Sequence, residues 1–243
     1  MAIAEKKGII SNNQETINNL AERVYAAGQK SEWDTFWDAF QESGTRSNYY
    51  MAFRGTGWTI DNFKPKYDII PDYNGTNSSA GQSMFSSASK FGGSLKHALE
   101  VAGVILDTKY VRTPNGMFDG ATGITELPHI DLSSATSMNN VFYGCGAKAI
   151  SVTVPDRKVD YNNCFRSSFL ENLEITGTLN GTNINVSWST KLTHKSLLNV
   201  LNALADKSGD TSTTWTVTFG STNLAKLTDE EKQIAQGKGW VLA

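Results

Sequence analysis

The side chains best suited to catalysis or metal binding are few and scattered in this chain. Its three histidines lie far apart, and none has a second histidine at the spacing of metal ligands: they are His97, His129 and His194. Cys145 and Cys164 are the only cysteines, without the second pair or nearby histidine that a zinc site needs. We therefore predict no metal and no cofactor. Both cysteines should be buried, reduced thiols, since free cysteine is among the most buried residue types.

The carboxylates offer no better basis for an enzyme. Hydrolysis of a glycosidic bond needs two carboxyl groups that face one cleft. The available acids are more simply explained as solvated groups or turn caps: Asp34 and Asp38 on one helix face, Asp107 and Asp131 at strand ends, and Asp119. Neither a Gly-x-Ser-x-Gly motif nor a glycine loop for phosphate or dinucleotide occurs. The sequence predicts a protein that is not an enzyme.

Aromatic side chains provide the candidates for a binding surface. Four of them lie among short alternating segments in the middle of the chain, where outward-facing positions would form a regular surface for a sugar or a protein: Tyr110, Tyr143, Tyr161 and Trp188. The alternative is that the same rings pack between neighbouring units as part of the core.

Composition excludes some partners. The chain has 243 residues, a formal net charge of −2 and 22 basic residues with no cluster longer than Lys6-Lys7. A surface for nucleic acid or anionic lipid would need these charges gathered on one face. No apolar stretch is long enough for membrane insertion, and the first residues lack the apolar centre of a signal peptide. We expect synthesis in a cytoplasm and no nucleic-acid partner.

Internal repeats organise the middle of the chain. The tetrapeptides Asn115-Gly-Met-Phe118, Asn139-Asn-Val-Phe142 and Asn162-Asn-Cys-Phe165 share one pattern, and an earlier, degenerate copy lies at Met84-Phe85 or at Phe91. Alternating apolar residues follow each phenylalanine, as in Ile150, Val152 and Val154. One short strand per unit of about 23 residues predicts a solenoid of roughly four or five rungs.

Two helices are predicted before the repeats. The first covers residues 1–30 and is either an ordinary amphipathic helix or an oligomerising coiled coil, dimer or trimer, because apolar residues recur at heptad positions: Ile10, Ile17, Leu20 and Val24. The second opens an aromatic module over 31–72, with one stripe at helical spacing: Trp33, Phe36, Trp37 and Phe40. This stripe is either core or a face for attachment to another subunit.

A cap is predicted after the repeats, over residues 191–243. A helix begins at Thr193, a strand alternates through Trp215, Val217 and Phe219, and Thr228 with Glu231 forms a capping box for a last helix. The whole is thus an α+β chain with segments 1–30, 31–72, 73–190 and 191–243, the repeats occupying the third.

The repeat segment, from Met117-Phe-Asp-Gly through Phe142-Tyr-Gly-Cys145, resembles the BspA-like class of leucine-rich repeats found in bacterial surface proteins and in phages of Gram-positive bacteria. The cysteine of that pattern is retained only at Cys145, being Ala121 and Ser168 in the neighbouring units. Phe36-Trp-Asp-Ala-Phe-Gln41 and Lys238-Gly-Trp240 resemble the opening and closing segments of phage virion proteins.

The resemblance implies a bacteriophage or prophage structural protein, made in the host cytoplasm and resident in the virion. It would attach to other virion proteins through its N-terminus, form a homo-oligomer and present the repeats to a host-surface glycan or protein, as a tail-fibre or baseplate component for receptor binding. The alternatives are a head fibre or capsid decoration protein without a receptor role, and a cell-surface polysaccharide depolymerase.

Overall fold

A computed structural model describes residues 48–243, which lie within one compact unit. The predicted N-terminal features fall outside the described residues: the heptad positions Ile10, Ile17, Leu20 and Val24, and the aromatic stripe Trp33, Phe36, Trp37 and Phe40.

Five similar tight turns form one side of the molecule. In each, the N–H of the fourth residue donates to the carbonyl of the first at 3.1–3.3 Å, and the third residue is phenylalanine. We call them the phenylalanine turns; they cover residues 51–54, 83–86, 116–119, 140–143 and 163–166. Three of the phenylalanines belong to the tetrapeptides recognised in the sequence, and Phe85 shows that the degenerate copy is Met84-Phe85.

Successive turns are joined by a backbone ladder. In the first four turns, the phenylalanine N–H donates to the carbonyl of the second residue in the next turn, as in Phe118 to Val141 at 2.8 Å and Phe142 to Cys164 at 3.0 Å. The rings stack in the same order, with centroid distances of 4.9, 5.5, 5.7 and 6.2 Å along the series Phe53, Phe85, Phe118, Phe142 and Phe165. All five rings are buried, so this column forms the centre of the core.

The first described segment belongs to this ladder, which corrects the predicted boundary between residues 72 and 73. Tyr49 N donates to Ala80 O at 3.1 Å and Ile60 N to Phe91 O at 2.7 Å, so residues 48–72 pair with the next unit and form no separate module. The turn-rich stretch 73–81, which follows the predicted boundary, is a loop inside the stack. Its anchor is Asp72, a fully buried carboxylate that accepts from Arg112 Nε at 2.9 Å. A buried charge needs such a partner.

Short parallel strands lie on the other sides of the stack. Their bounds are β1 Gly93–Ser94, β2 Ile124–Glu126, β3 Ile130–Asp131, β4 Ala149–Thr153, β5 Val159–Asp160, β6 Asn172–Thr176, β7 Gly181–Thr182 and β8 Ile184–Asn185. The three-stranded sheet β3-β4-β6 pairs Ile130 with Val152 and Val152 with Ile175, and alternate residues of β4 and β6 are buried. This alternation at period two matches the expected pattern of half-buried strands.

One helix, α1 (Leu95–Ala102), interrupts the early units. Ser94 caps its start by accepting from His97 N at 2.9 Å, and Gly103 ends it at φ 69°. The described residues therefore combine helices with small parallel sheets and contain no closed barrel. The assignment to the leucine-rich-repeat class stays a prediction. None of the helices within residues 48–243 is long and apolar enough to cross a membrane.

The C-terminal segment contains α2 (His194–Ala203), β9 (Trp215–Thr218), α3 (Gly220–Leu224), α4 (Asp229–Gly237) and β10 (Trp240–Leu242). The predicted helix start at Thr193, the strand at Trp215 and the capping box of Thr228 with Glu231 are all present. The sequence did not predict α3 or β10, which are short. Strands β8, β9 and β10 form a parallel sheet, so the segment continues the stack.

Helix α2 covers the last strand of the central sheet. Two of its side chains accept backbone N–H groups of β6: Ser196 Oγ from Leu173 N at 2.9 Å, and Asn199 Oδ1 from Ile175 N at 2.7 Å. A strand edge otherwise presents unpaired donors to other chains. Helix α2 thus supplies side-chain acceptors where a further strand would otherwise pair with β6. In this way it caps the edge of the sheet.

Candidate binding surface

The fourth residue of each phenylalanine turn follows the buried ring, and four of the five are at least partly exposed, Ser86 being buried. These residues form a column, here called the outer column, of Arg54, Ser86, Asp119, Tyr143 and Arg166. The chain adds one more member after the last turn, because Ser167 N donates to Ser189 Oγ at 3.0 Å and so sets Trp188 beside Arg166. A column of repeated positions is where a repeat protein can place different side chains without disturbing its core.

The end of this column is an aromatic sandwich around a guanidinium group. Arg166 Cζ lies 4.0 Å from the ring centroid of Trp188 and 5.2 Å from that of Tyr143. Attraction between the guanidinium cation and the faces of the two rings stabilises this arrangement. Trp188 is nevertheless 58% exposed, so a large part of its indole faces solvent.

The sandwich brings together two of the four aromatic residues predicted from the sequence, Tyr143 and Trp188. Arg166 was not predicted. Its position directly after Phe165, matching that of Tyr143 after Phe142, is the signal that could have identified it. Within residues 48–243, the Arg166 guanidinium makes no hydrogen bond or ion pair, and its contacts are to the two rings.

The other two predicted aromatics lie elsewhere. Tyr110 is 40% exposed, and its own neighbour Lys109 covers the ring at 4.8 Å. Tyr161 is only 1% exposed and stacks on Phe165 at 6.3 Å, which corrects its assignment to a binding surface. Burial raises the pKa of its hydroxyl well above the usual value. Tyr161 directly follows β5 and lies four residues before Phe165. This position is on the core side of the chain, so the ring is buried.

A polar groove adjoins the two units that contain Arg166 and Trp188. Its volume is about 400 Å³, and amide and hydroxyl side chains dominate its lining, among them Asn162, Asn163, Asn185, Thr214, Thr216 and Thr218. Arg166 N donates to Asn163 O at 3.2 Å, so one turn contributes both to the groove and to the outer column. Amides and hydroxyls carry donors and acceptors that match the hydroxyl groups of a sugar.

A second cavity of about 420 Å³ lies on the exposed face of the central sheet, and Glu126 and Glu174 both line it. The hydrogen bond from Ser94 Oγ, at 2.8 Å, is the main cause that lowers the pKa of Glu126. A glycosidase acid needs the opposite shift, so Glu126 is unsuited to that role.

His129 lies on the same sheet face. Its two ring nitrogens are each 2.9 Å from a hydroxyl, Ser151 Oγ on one side and Thr153 Oγ1 on the other. A serine activated for nucleophilic attack also requires a group, usually a carboxylate, that orients the histidine. Here the second ring nitrogen of His129 lies against the Thr153 hydroxyl instead. His129 directly precedes β3, and both hydroxyls belong to β4, so the arrangement links these neighbouring strands.

The remaining candidates for chemistry are structural. Cys145 and Cys164 are buried and unpaired, as predicted, and burial raises the pKa of Cys145 to about 11. A thiol with this pKa is protonated at neutral pH and is a poor nucleophile. Across residues 48–243, no three His, Cys, Asp or Glu side chains come close enough together to hold a metal ion.

Comparison with known proteins adds no assignment to this geometry. No protein family matches the sequence, and searches of curated proteins and of solved structures likewise find no match.

Proposed function

We propose that this chain is a structural protein of a bacteriophage or prophage virion, and that its stacked units bind the surface of the host cell. The virion assignment rests on the resemblance of the two ends and the repeat segment to phage proteins. In this role the chain attaches to other virion proteins through its N-terminus, and it is a homo-oligomer in a tail fibre or baseplate.

The observation that supports binding is the sandwich of Tyr143, Arg166 and Trp188. Trp188 is 58% exposed, so a large apolar ring remains in water, where it adds little to the core. Tryptophan, tyrosine and arginine are also the residues that contribute most to binding surfaces. Their position beside a groove of amides and hydroxyls favours a glycan ligand.

Binding of the purified full-length chain to host cells and to a glycan array would test this proposal. We expect Trp188→Ala to weaken binding by about tenfold or more, because it removes the exposed ring of the sandwich. Tyr73→Ala is the matched control, since Tyr73 is also an exposed aromatic residue, 44% accessible, in a loop of the first unit. It should bind as the unmodified chain does.

Other outcomes would favour the alternatives. Absence of binding to any cell or glycan would overturn the receptor-binding role and favour a head fibre or capsid decoration protein. Release of reducing sugar from a bound polysaccharide would instead indicate a depolymerase, and Glu126→Gln and Glu174→Gln would then locate the activity.

A further inference from the structure

We propose that the sandwich is the recognition site for an anionic sugar polymer, in which Arg166 binds a carboxylate or phosphate group and Trp188 stacks on the adjoining sugar ring. This inference rests on the proposed function and specifies the class of ligand.

The first argument is the state of the Arg166 side chain. Its Cζ lies over the rings of Trp188 and Tyr143, at 4.0 and 5.2 Å from their centroids, and these ring contacts leave the edge with the N–H donors available for a ligand. That edge has no hydrogen-bond or ionic partner within residues 48–243. A guanidinium edge matches the two oxygens of a carboxylate or phosphate, and such paired hydrogen bonds are among the strongest that side chains make.

The sandwich also reduces the entropic cost of binding. A free arginine side chain samples many rotamers and loses them when it binds. Stacking between Tyr143 and Trp188 already restricts the Arg166 side chain, so less freedom remains to be lost. Arg112, by contrast, forms an ion pair within the protein, with Asp72 at 2.9 Å. Arg166 is held by its two aromatic neighbours but has no ionic partner within residues 48–243.

The surroundings favour a sugar beside the anion. Trp188 retains an exposed ring face, and aromatic faces pack against the C–H groups of sugar rings. The groove next to the same turn contributes Asn162 and Asn163 for neighbouring hydroxyl groups. An anion without an attached sugar would use Arg166 but neither the indole nor the groove.

Negative charge in the outer column does not neutralise the site. Its acidic member is Asp119, two units from Arg166, or about 10 Å at the usual spacing of paired strands. Burial raises the pKa of Asp119, while the charge of Arg54 opposes that shift. At such a separation, salt screens much of the interaction between two surface charges.

Titration of the full-length chain with three polymers tests the inference: polygalacturonate for carboxylates, dextran phosphate for phosphates, and unmodified dextran as a neutral polysaccharide. We expect binding to at least one anionic polymer, with a clear preference over dextran and weaker binding as salt is raised. Arg166→Gln should weaken that binding by about tenfold or more. Arg166→Lys, which keeps the charge but loses the planar fork, should recover only part of it.

Arg54→Gln is the matched control, because Arg54 holds the same place in the first phenylalanine turn. It removes the same charge from the outer column and should leave binding unchanged. Thermal unfolding of each variant would show that Arg166→Gln is folded. A loss of binding with unchanged unfolding supports a direct contact between Arg166 and the polymer.

The outcomes separate this inference from the proposed function. Equal binding to dextran, no binding to either anionic polymer, or full binding by Arg166→Gln would overturn the anionic ligand. If cell binding still depended on Trp188, the host-binding role would stand and a neutral glycan would be the ligand. Loss of all binding to cells and polymers would overturn both proposals.

Discussion

At the scale of single residues, the first position of each phenylalanine turn has a special backbone conformation. Its φ angle is positive in all five turns, between 52° and 65°, at Met51, Ser83, Gly116, Asn140 and Asn163. Glycine and asparagine adopt this left-handed region at least cost, and three of the five positions use them. This requirement explains why asparagine and glycine recur before the phenylalanine in the sequence repeats.

Asn140 provides a test of this requirement. Asn140→Val should lower the free energy of unfolding by about 1–2 kcal/mol, because a β-branched residue is strained at φ 54°. Asn140→Gly should change it much less, since glycine accepts that conformation. Urea unfolding of both variants would measure the difference. Equal stability of the two would show that the turn can relax and that φ does not determine the residue.

At the scale of elements, the junction between β6 and α2 decides how the central sheet ends. The strand N–H groups of Leu173 and Ile175 would be unpaired if no further strand or acceptor followed. Ser196 and Asn199 supply those acceptors from consecutive turns of one helix, three residues apart. A polar residue on the inner face of α2 is therefore part of its packing.

Replacement of Asn199 tests this junction. Asn199→Leu should cost about 1–3 kcal/mol of stability, because it leaves the Ile175 N–H without its acceptor in a partly buried place. Asn202→Leu is the control on the same helix, at an exposed position. Its effect should stay within about 0.5 kcal/mol. If the two variants lost equal stability in urea, the hydrogen bond would not be what secures the sheet edge.

At the scale of the whole molecule, acid sensitivity arises in the C-terminal segment. Hydrogen bonds from Ser212 and from Trp215 Nε1 lower the pKa of Asp210 to about 2. The His194 side chain is the main cause that lowers the pKa of Glu231, at 2.9 Å, across the contact between α2 and α4. Carboxylates with lowered pKa stabilise the fold at neutral pH and lose that contribution in acid.

Asp210 defines the pH range of this effect. Its contribution is complete above the unfolded pKa near 4 and disappears as pH falls towards about 2. Asp210→Asn should therefore be less stable than the unmodified chain at pH 6 and approach it at pH 2. Asp156→Asn, at an exposed position, is the control. Thermal unfolding between pH 2 and 6 measures this, and a constant difference across the range would contradict it.

Oligomerisation is the other property of the whole molecule, and it depends on residues outside those the structure describes. The heptad positions Ile10, Ile17, Leu20 and Val24 predict a dimer or trimer. Sedimentation of the full chain should give twice or three times the 26.5 kDa mass of one chain, and Ile17→Asp should lower that mass. A monomer at every concentration would contradict the coiled coil and leave an amphipathic helix.

Several features could be predicted from the sequence because they depend on neighbouring residues. The capping box of Thr228 and Glu231 spans three positions, and the helix start at Thr193 needs only its next turn. The phenylalanine repeats were visible because each unit must fill the same place in the core. The boundary after residue 72 was wrong, since turn-forming residues between two paired units resemble those of a linker.

The sequence by itself determined the repeating turn, its buried phenylalanine and the two capped helices at the end of the chain, because local spacing dictates these. Only the tertiary structure decided which aromatic residues are exposed: Tyr161 is 1% and Trp188 58% accessible, although both lie in the repeat segment. It also decided that Arg166 lies between Tyr143 and Trp188, more than 20 residues away on either side. That contact depends on the stacking of whole units, and no local pattern of residues encodes it.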